Sequence, residues 1–346
     1  MGLGSWEAIA GNVLLYGLVL GLASTVKVNA FRESLSSRGL VIGCFAQFVF
    51  LPLLGFAVAS IIFADRPEIG IPLIITTSSP GGSYSNWWTS IFNGDLALSV
   101  AMTTVSSLLS IGLLPLNLFI YIKGAYPDGN TVHMRWAGLF VSIGVVIFGI
   151  VGGLFVGTRF ANMRPILNLG GNVCGILLVL LGFFFSSNSS TPIWEQDFSF
   201  YIGLIIPCVL GLLLSMKFAV YAKLEMPQVL AVAIEVCYQN TAIALAVILS
   251  SFDDDASCAP GSSCDVVGRA AGVPAFYQII QVLSLGILCM HAHRRGWTYA
   301  PKEVSLLVAI THNYQPGDDV DAEGDVENAR ELSEFANAEE AHTTER

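Results

Sequence analysis

Charge is scarce in this chain. Only 12% of its 346 residues are Asp, Glu, Lys or Arg against 54% hydrophobic, and the mean hydropathy is +0.67. So apolar a composition over this length excludes a soluble globule and leaves no basic surface for nucleic acid. Histidine is equally sparse: His133, His291, His293, His312 and His342 all fall at the ends of apolar stretches or outside them. An intramembrane hydrolase needs a nucleophile with a base, or paired aspartates, at membrane depth. Asp95 has no such companion, so the chain does not read as an enzyme. No Cys or His spacing suggests a metal centre or any bound cofactor. The start, Met1 to Glu7, lacks the basic residues of a signal peptide, so the first apolar stretch counts as a span.

What the chain has in abundance is apolar runs. Spanning about 30 Å of hydrocarbon takes roughly 20 mainly apolar residues. Such stretches fall at 8–26, 39–63, 70–92, 96–122, 136–157, 166–187, 199–222, 228–252 and 273–292. With the N-terminus outside, the inner connections hold Lys27, Arg32, Arg38, Arg159, Arg164, Lys217, Lys223, Arg294, Arg295 and Lys302. The outer ones hold only Arg66, Lys123, Arg135 and Arg269. That imbalance orients the protein N-out and C-in, and the expected location is the cell-surface membrane. Outer loop 253–272 carries Cys258 and Cys264, a pair placed to form a disulfide. Cys44, Cys174, Cys208, Cys237 and Cys289 lie in apolar stretches and read as small packing residues. The net charge of −10 belongs to the end of the chain: residues 1–302 balance, whereas 303–346 are strongly acidic and poor in aromatics. The expected organisation is a membrane domain at 1–302 and a disordered cytoplasmic tail at 303–346.

Two of the stretches are interrupted. Pro80 removes a backbone donor and Gly81-Gly82 permit non-helical dihedrals, so carbonyls are freed within the third stretch. Non-helical backbone at membrane depth is tolerated only where it is buried in protein or lines a cavity. Ser85 and Asn86 follow at once, and the next stretch presents Asp95, Ser99 and Thr103 at intervals of four, on one helix face. Ser106, Ser107 and Ser110 extend the stripe as helix-packing hydroxyls. In the eighth stretch stands Glu235, with Gln239 one turn on and then Asn240. A carboxylate at that depth costs about 2.5 to 3.5 kcal/mol by insertion scales and marks ion pathways or proton relays. Lys and Arg are confined to the ends of the spans and cannot supply its partner. A bound cation, a titrating proton and a protonated Glu hydrogen-bonded to its neighbours are the readings available. Gln47, alone in the second stretch, reads by itself as an interhelical hydrogen-bonding residue. The expected fold is an all-α integral membrane protein of about nine transmembrane helices in inverted repeats, with two broken, crossing helices.

The blocks Pro80-Gly81-Gly82-Ser83-Tyr84-Ser85-Asn86, Asn93-Gly94-Asp95-Leu96-Ala97-Leu98-Ser99-Val100-Ala101-Met102-Thr103-Thr104 and Glu235-Val236-Cys237-Tyr238-Gln239-Asn240-Thr241 resemble the bile acid:sodium symporter family. The likeness covers most of residues 8–292. It implies sodium-coupled symport of an organic anion (bile acid, steroid sulfate or related organic acid) by alternating access, with two Na+ as coupling ions. A proton-coupled carrier in which Glu235 titrates is the alternative. The resemblance assigns one sodium to Ser85, Asn86, Ser99, Thr103 and Glu235. It assigns the second to Glu235, Gln239, Gln47 and the backbone carbonyls of Val236 and Tyr238. Asn240 follows the family pattern and either knits the crossover or faces substrate. Cys237 departs from it, since family members usually carry Gly there, and the second site is the one this affects.

Overall fold

The computed structural model describes residues 6–24, 37–82, 84–127, 136–252, 265–311 and 314. Cys258 and Cys264 lie outside the described residues, as does the acidic run from Asp318 to Glu340. Among the described residues the regular structure is helical. The first four helices are α1 (Trp6–Ser24), α2 (Arg38–Ile62), α3 (Pro67–Ser78) and α4 (Ser85–Ile91). Next come α5 (Leu96–Ala125), α6 (Trp136–Arg159), α7 (Arg164–Ser187) and α8 (Phe198–Tyr221). The last helices described are α9 (Met226–Cys237), α10 (Thr241–Ser251), α11 (Val266–Arg295) and α12 (Leu306–Thr311). Six of these, α2, α5, α6, α7, α8 and α11, are long and apolar enough to cross a membrane.

The third and eighth apolar stretches are split, into α3 with α4 and α9 with α10. Helix α3 stops because Ser79 precedes Pro80 and takes the extended conformation such a residue prefers (φ −66°, ψ 153°). Helix α9 stops at Cys237, and α10 restarts where the Asn240 side chain accepts from Ile243 N at 3.0 Å. The last long helix begins seven residues earlier than its apolar run, at Val266, because Asp265 caps it by accepting from Gly268 N at 3.0 Å. Hydropathy follows the apolar residues, whereas the helix follows its cap.

Two groups of helices share the core. Helices α6 and α7 each pack on α1 and touch α10, and α7 also lies against α11, while α2, α3, α5, α8, α9 and α11 form the larger group around the breaks. Small residues bring the first group close: Gly21 of α1 lies against the backbone of α7 at Gly171. In the larger group Cys208 and Cys237 are buried, with their sulfurs 3.8 Å apart. Helix α12, beyond residue 302, sits on a small apolar cluster of Ala300, Val304, Val308, Ala309 and Tyr314.

Candidate functional site at the crossing of two broken helices

The two breaks meet. Gly81 and Gln239 form an isolated antiparallel bridge, with Gly82 N donating to Tyr238 O at 2.7 Å and Asn240 N to Pro80 O at 3.0 Å. Each break thereby satisfies backbone groups that the other leaves without a helical partner. The glycines are what permit this approach. A Cβ on Gly81 would overlap the Glu235 carboxylate, and one on Gly82 would lie 2.7 Å from the Tyr238 ring.

Beside the crossing, Glu235 is buried (1% exposed) and surrounded by hydroxyls. Ser85 Oγ donates to its Oε2 at 2.6 Å, Thr103 Oγ1 to its Oε1 at 2.8 Å, and Ser99 Oγ lies 3.5 Å from Oε2. Asn86 Oδ1 closes the group, accepting from Ser99 at 2.8 Å and Thr103 at 3.3 Å. Five residues expected to share a site therefore converge from α4, α5 and α9. The arrangement is one carboxylate among neutral oxygens, the donor set a hard cation prefers. Asp95 is different: it caps α5, accepting from Leu98 N at 2.9 Å, and takes no part in the cluster.

The other expected group lies on the far side of the crossover. Gln47 sits in a π-helical turn, Ala46–Phe50, an irregularity common at functional sites. Its Nε2 donates to Gln239 Oε1 and to Ser79 O, both at 2.8 Å, and Gln239 Nε2 donates to Val236 O at 2.7 Å. The Val236 and Tyr238 carbonyls thus already accept one hydrogen bond each, leaving a second lone pair. Gln47 Oε1 is buried without a hydrogen-bond partner, the kind of orphaned acceptor a cation would satisfy. Asn240 is occupied as the cap of α10 and borders only a small cavity beside Tyr84, Tyr238 and Gln278.

Several contributors went unforeseen. Thr89, one turn after Ser85, is buried and donates to Ser99 Oγ at 3.2 Å. Gln281 of α11 accepts from Gln239 N at 3.0 Å, and Gln278 donates to the Tyr238 hydroxyl at 2.8 Å. Two amides at a spacing of three in an apolar helix were the available signal.

A cavity of about 680 Å³ opens between the two helix groups, and Asn86 and Thr103 of the carboxylate cluster form part of its wall. Its apolar side comes from α1 and α6, including Val19, Val146 and Ile150, and α7 contributes Asn168 and Asn172. Among the described residues no Lys, Arg or His lines it.

Residues 12–181 match the Sodium Bile acid symporter family. The chain is similar to this family over that stretch, just under half of its length. It is 28% identical over 278 residues to the ileal sodium/bile acid cotransporter of Cricetulus griseus, covering 80% of this chain and 76% of that one. The hepatic sodium/bile acid cotransporter of Homo sapiens is 24% identical over 322 residues, covering 88% and 86%. A sodium-dependent transporter of Bacillus subtilis (strain 168) is 27% identical over 257 residues, covering 72% and 76%. The protein is thus a multi-pass integral membrane protein similar to sodium-coupled transporters, and not an enzyme.

Proposed function

We propose that the protein is a sodium-coupled symporter of an amphipathic organic anion, a bile acid, steroid sulfate or related organic acid, working by alternating access. The observation that carries this reading is the shared wall. Asn86 and Thr103 belong at once to the Glu235 cluster and to the large cavity. A cation held by the cluster therefore fixes two side chains that a cavity occupant touches, which links the two bindings.

One sodium is assigned to Ser85, Asn86, Ser99, Thr103 and Glu235. A second is assigned to Glu235, Gln239, Gln47 and the carbonyls of Val236 and Tyr238. With two sodium ions and a monoanion, each cycle carries one net positive charge inward. That adds about 2.3 kcal/mol of driving force per 100 mV. Among the described residues no cationic side chain lines the cavity, and the bound sodium supplies positive charge to the anionic group, helped by the N-terminal end of α10 at the crossing. The apolar side of the cavity suits a steroid-like body, and its volume lies within the range of about 300 to 1,000 Å³ usual for small-molecule sites.

The expected motion is rocking of the α1, α6, α7 group against the rest, as in carriers built from inverted repeats. Nine spans, N-out and C-in at the cell surface, with the membrane domain at 1–302 and the acidic tail at 303–346 inside, complete the reading. The test is uptake of labelled bile salts, steroid sulfates and short carboxylic acids at fixed pH, with sodium or with choline. Sodium-dependent accumulation of an amphipathic anion is expected. Equal uptake in both buffers would refute it.

A further inference from the structure

We infer that the segment from Trp297 to Thr311, with Tyr314, is a clasp on the corner between α4 and α5. Asn93 is the positioning residue through which this clasp sets the affinity of the Glu235 cluster for sodium. The inference rests on the sodium reading above and adds to it a control from the far end of the chain.

The corner is short. Only Phe92, Asn93, Gly94 and Asp95 separate α4, which carries Ser85, Asn86 and Thr89, from α5, which carries Ser99 and Thr103. Four oxygens assigned to one cation thus face each other across a four-residue hinge. Helix α4 has seven residues, too few to hold its own conformation. Its placement rests on its packing against α5 and α9 and on its two ends, the crossing at Gly82 on one side and the corner on the other, where Asp95 N donates to Pro227 O at 3.1 Å and Asn93 is held from the far end of the chain.

Asn93 is buried (1% exposed) in the left-handed conformation, φ 52°, which Asn tolerates better than most residues. Beside its own N–H to Ser90 O at 3.1 Å, three hydrogen bonds from the C-terminal segment hold it there. Its Nδ2 donates to Ala309 O at 2.6 Å, its Oδ1 accepts from Tyr314 N at 2.8 Å, and its carbonyl accepts from Tyr299 N at 2.8 Å. The segment is fixed in turn by the Ala300, Val304, Val308, Ala309 and Tyr314 cluster. His293 near the end of α11 also holds it, its Nε2 lying 3.1 Å from Val304 O. The chain of contacts therefore runs from α11 through the segment to Asn93, and from Asn93 to the oxygens on either side of the hinge. A clasped corner presents those oxygens already gathered. An unclasped one must be ordered by the ion itself, which raises the sodium concentration needed.

The test uses the purified full-length chain and follows its thermal midpoint as sodium replaces choline at constant ionic strength. N93G keeps the left-handed backbone, which Gly adopts freely, but deletes both side-chain bonds. V308D detaches the segment from the other side by placing a carboxylate in its buried cluster. Each is expected to raise the half-saturating sodium concentration roughly three- to tenfold, the shift that losing one or two such hydrogen bonds gives. The double variant is expected to shift no further than the larger single, because both release the same clasp. N93D, which keeps the acceptor for Tyr314 N but sets a carboxylate against Ala309 O, is expected to fall between. Parental half-saturation in folded N93G or N93D overturns the clasp, and so does a double variant whose shift is the product of the singles. No sodium effect in the parent chain refutes the sodium reading itself, whereas an effect that N93G leaves unchanged refutes only the clasp.

Discussion

Replacing Glu235 by Gln separates charge from shape. The side chains are nearly isosteric, so packing against Gly81 is preserved. The hydroxyls also have other acceptors once the carboxylate is gone: Ser85 Oγ lies 2.8 Å from Gly82 O and Thr103 Oγ1 lies 3.0 Å from Ser99 O. They can therefore turn to accept from the new amide, and the variant should fold and reach the membrane. What it loses is the negative charge facing the cation. At an effective dielectric of about 20, two unit charges about 4 Å apart attract by about 4 kcal/mol. Since about 1.4 kcal/mol is a factor of ten, sodium affinity should fall roughly a thousandfold. Uptake of a labelled bile salt in sodium should then drop to the level seen in choline, with cell-surface labelling unchanged. An E235Q protein at normal surface abundance, with a sodium curve within tenfold of the parent, would refute the assignment of Glu235.

Ser99→Ala removes a hydroxyl that donates to Asn86 at 2.8 Å and accepts from Thr89 at 3.2 Å. Leaving those groups short of a partner is worth about 1 to 3 kcal/mol, so the sodium needed for half-maximal uptake should rise at least severalfold, and an unchanged curve would remove Ser99 from the site. Gly81→Ala places a methyl on the Glu235 carboxylate where both are buried. Overpacking of this kind costs about 1 to 3 kcal/mol, so a lowered thermal midpoint and lost uptake are expected together, and a variant with the parental midpoint would show that the crossing is looser than described.

The first break was legible because proline and glycine act locally, and the second because of its polar residues. Pro80 and Gly81-Gly82 cannot continue a helix cheaply, and Glu235 in an apolar run has no reading without a partner. Asp95 shows where spacing misleads. It stands four residues before Ser99 and so fits a stripe on one face, yet it also stands just before the first helical residue, where an aspartate caps. Both patterns were present, and only the position of the helix start decides between them. The π turn at Gln47 left no mark, because Ala-Gln-Phe-Val-Phe is as compatible with regular helix as with an expanded turn. Asn93 was visible only as part of a motif block. The partners that fix its role, Ala309 and Tyr314, lie more than 200 residues away, and no local pattern joins them.

The meeting of the two breaks is the step that single segments hide. A broken helix in hydrocarbon leaves backbone groups whose burial costs several kcal/mol each unless they find partners. Here Gly82 N, Tyr238 O, Asn240 N and Pro80 O find them across the crossing, so neither break is tolerable without the other. That exchange also determines what is left for an ion. The Tyr238 carbonyl has spent one lone pair on the other break and the Val236 carbonyl one on Gln239, so ligation there must draw on the second. Around Glu235 the side-chain oxygens take no part in the exchange and remain available. The proposed first sodium site would therefore be built of side chains and should respond sharply to substitution. The proposed second would lean on backbone, and its side-chain dependence should concentrate in Gln47, whose buried Oε1 has no hydrogen-bond partner.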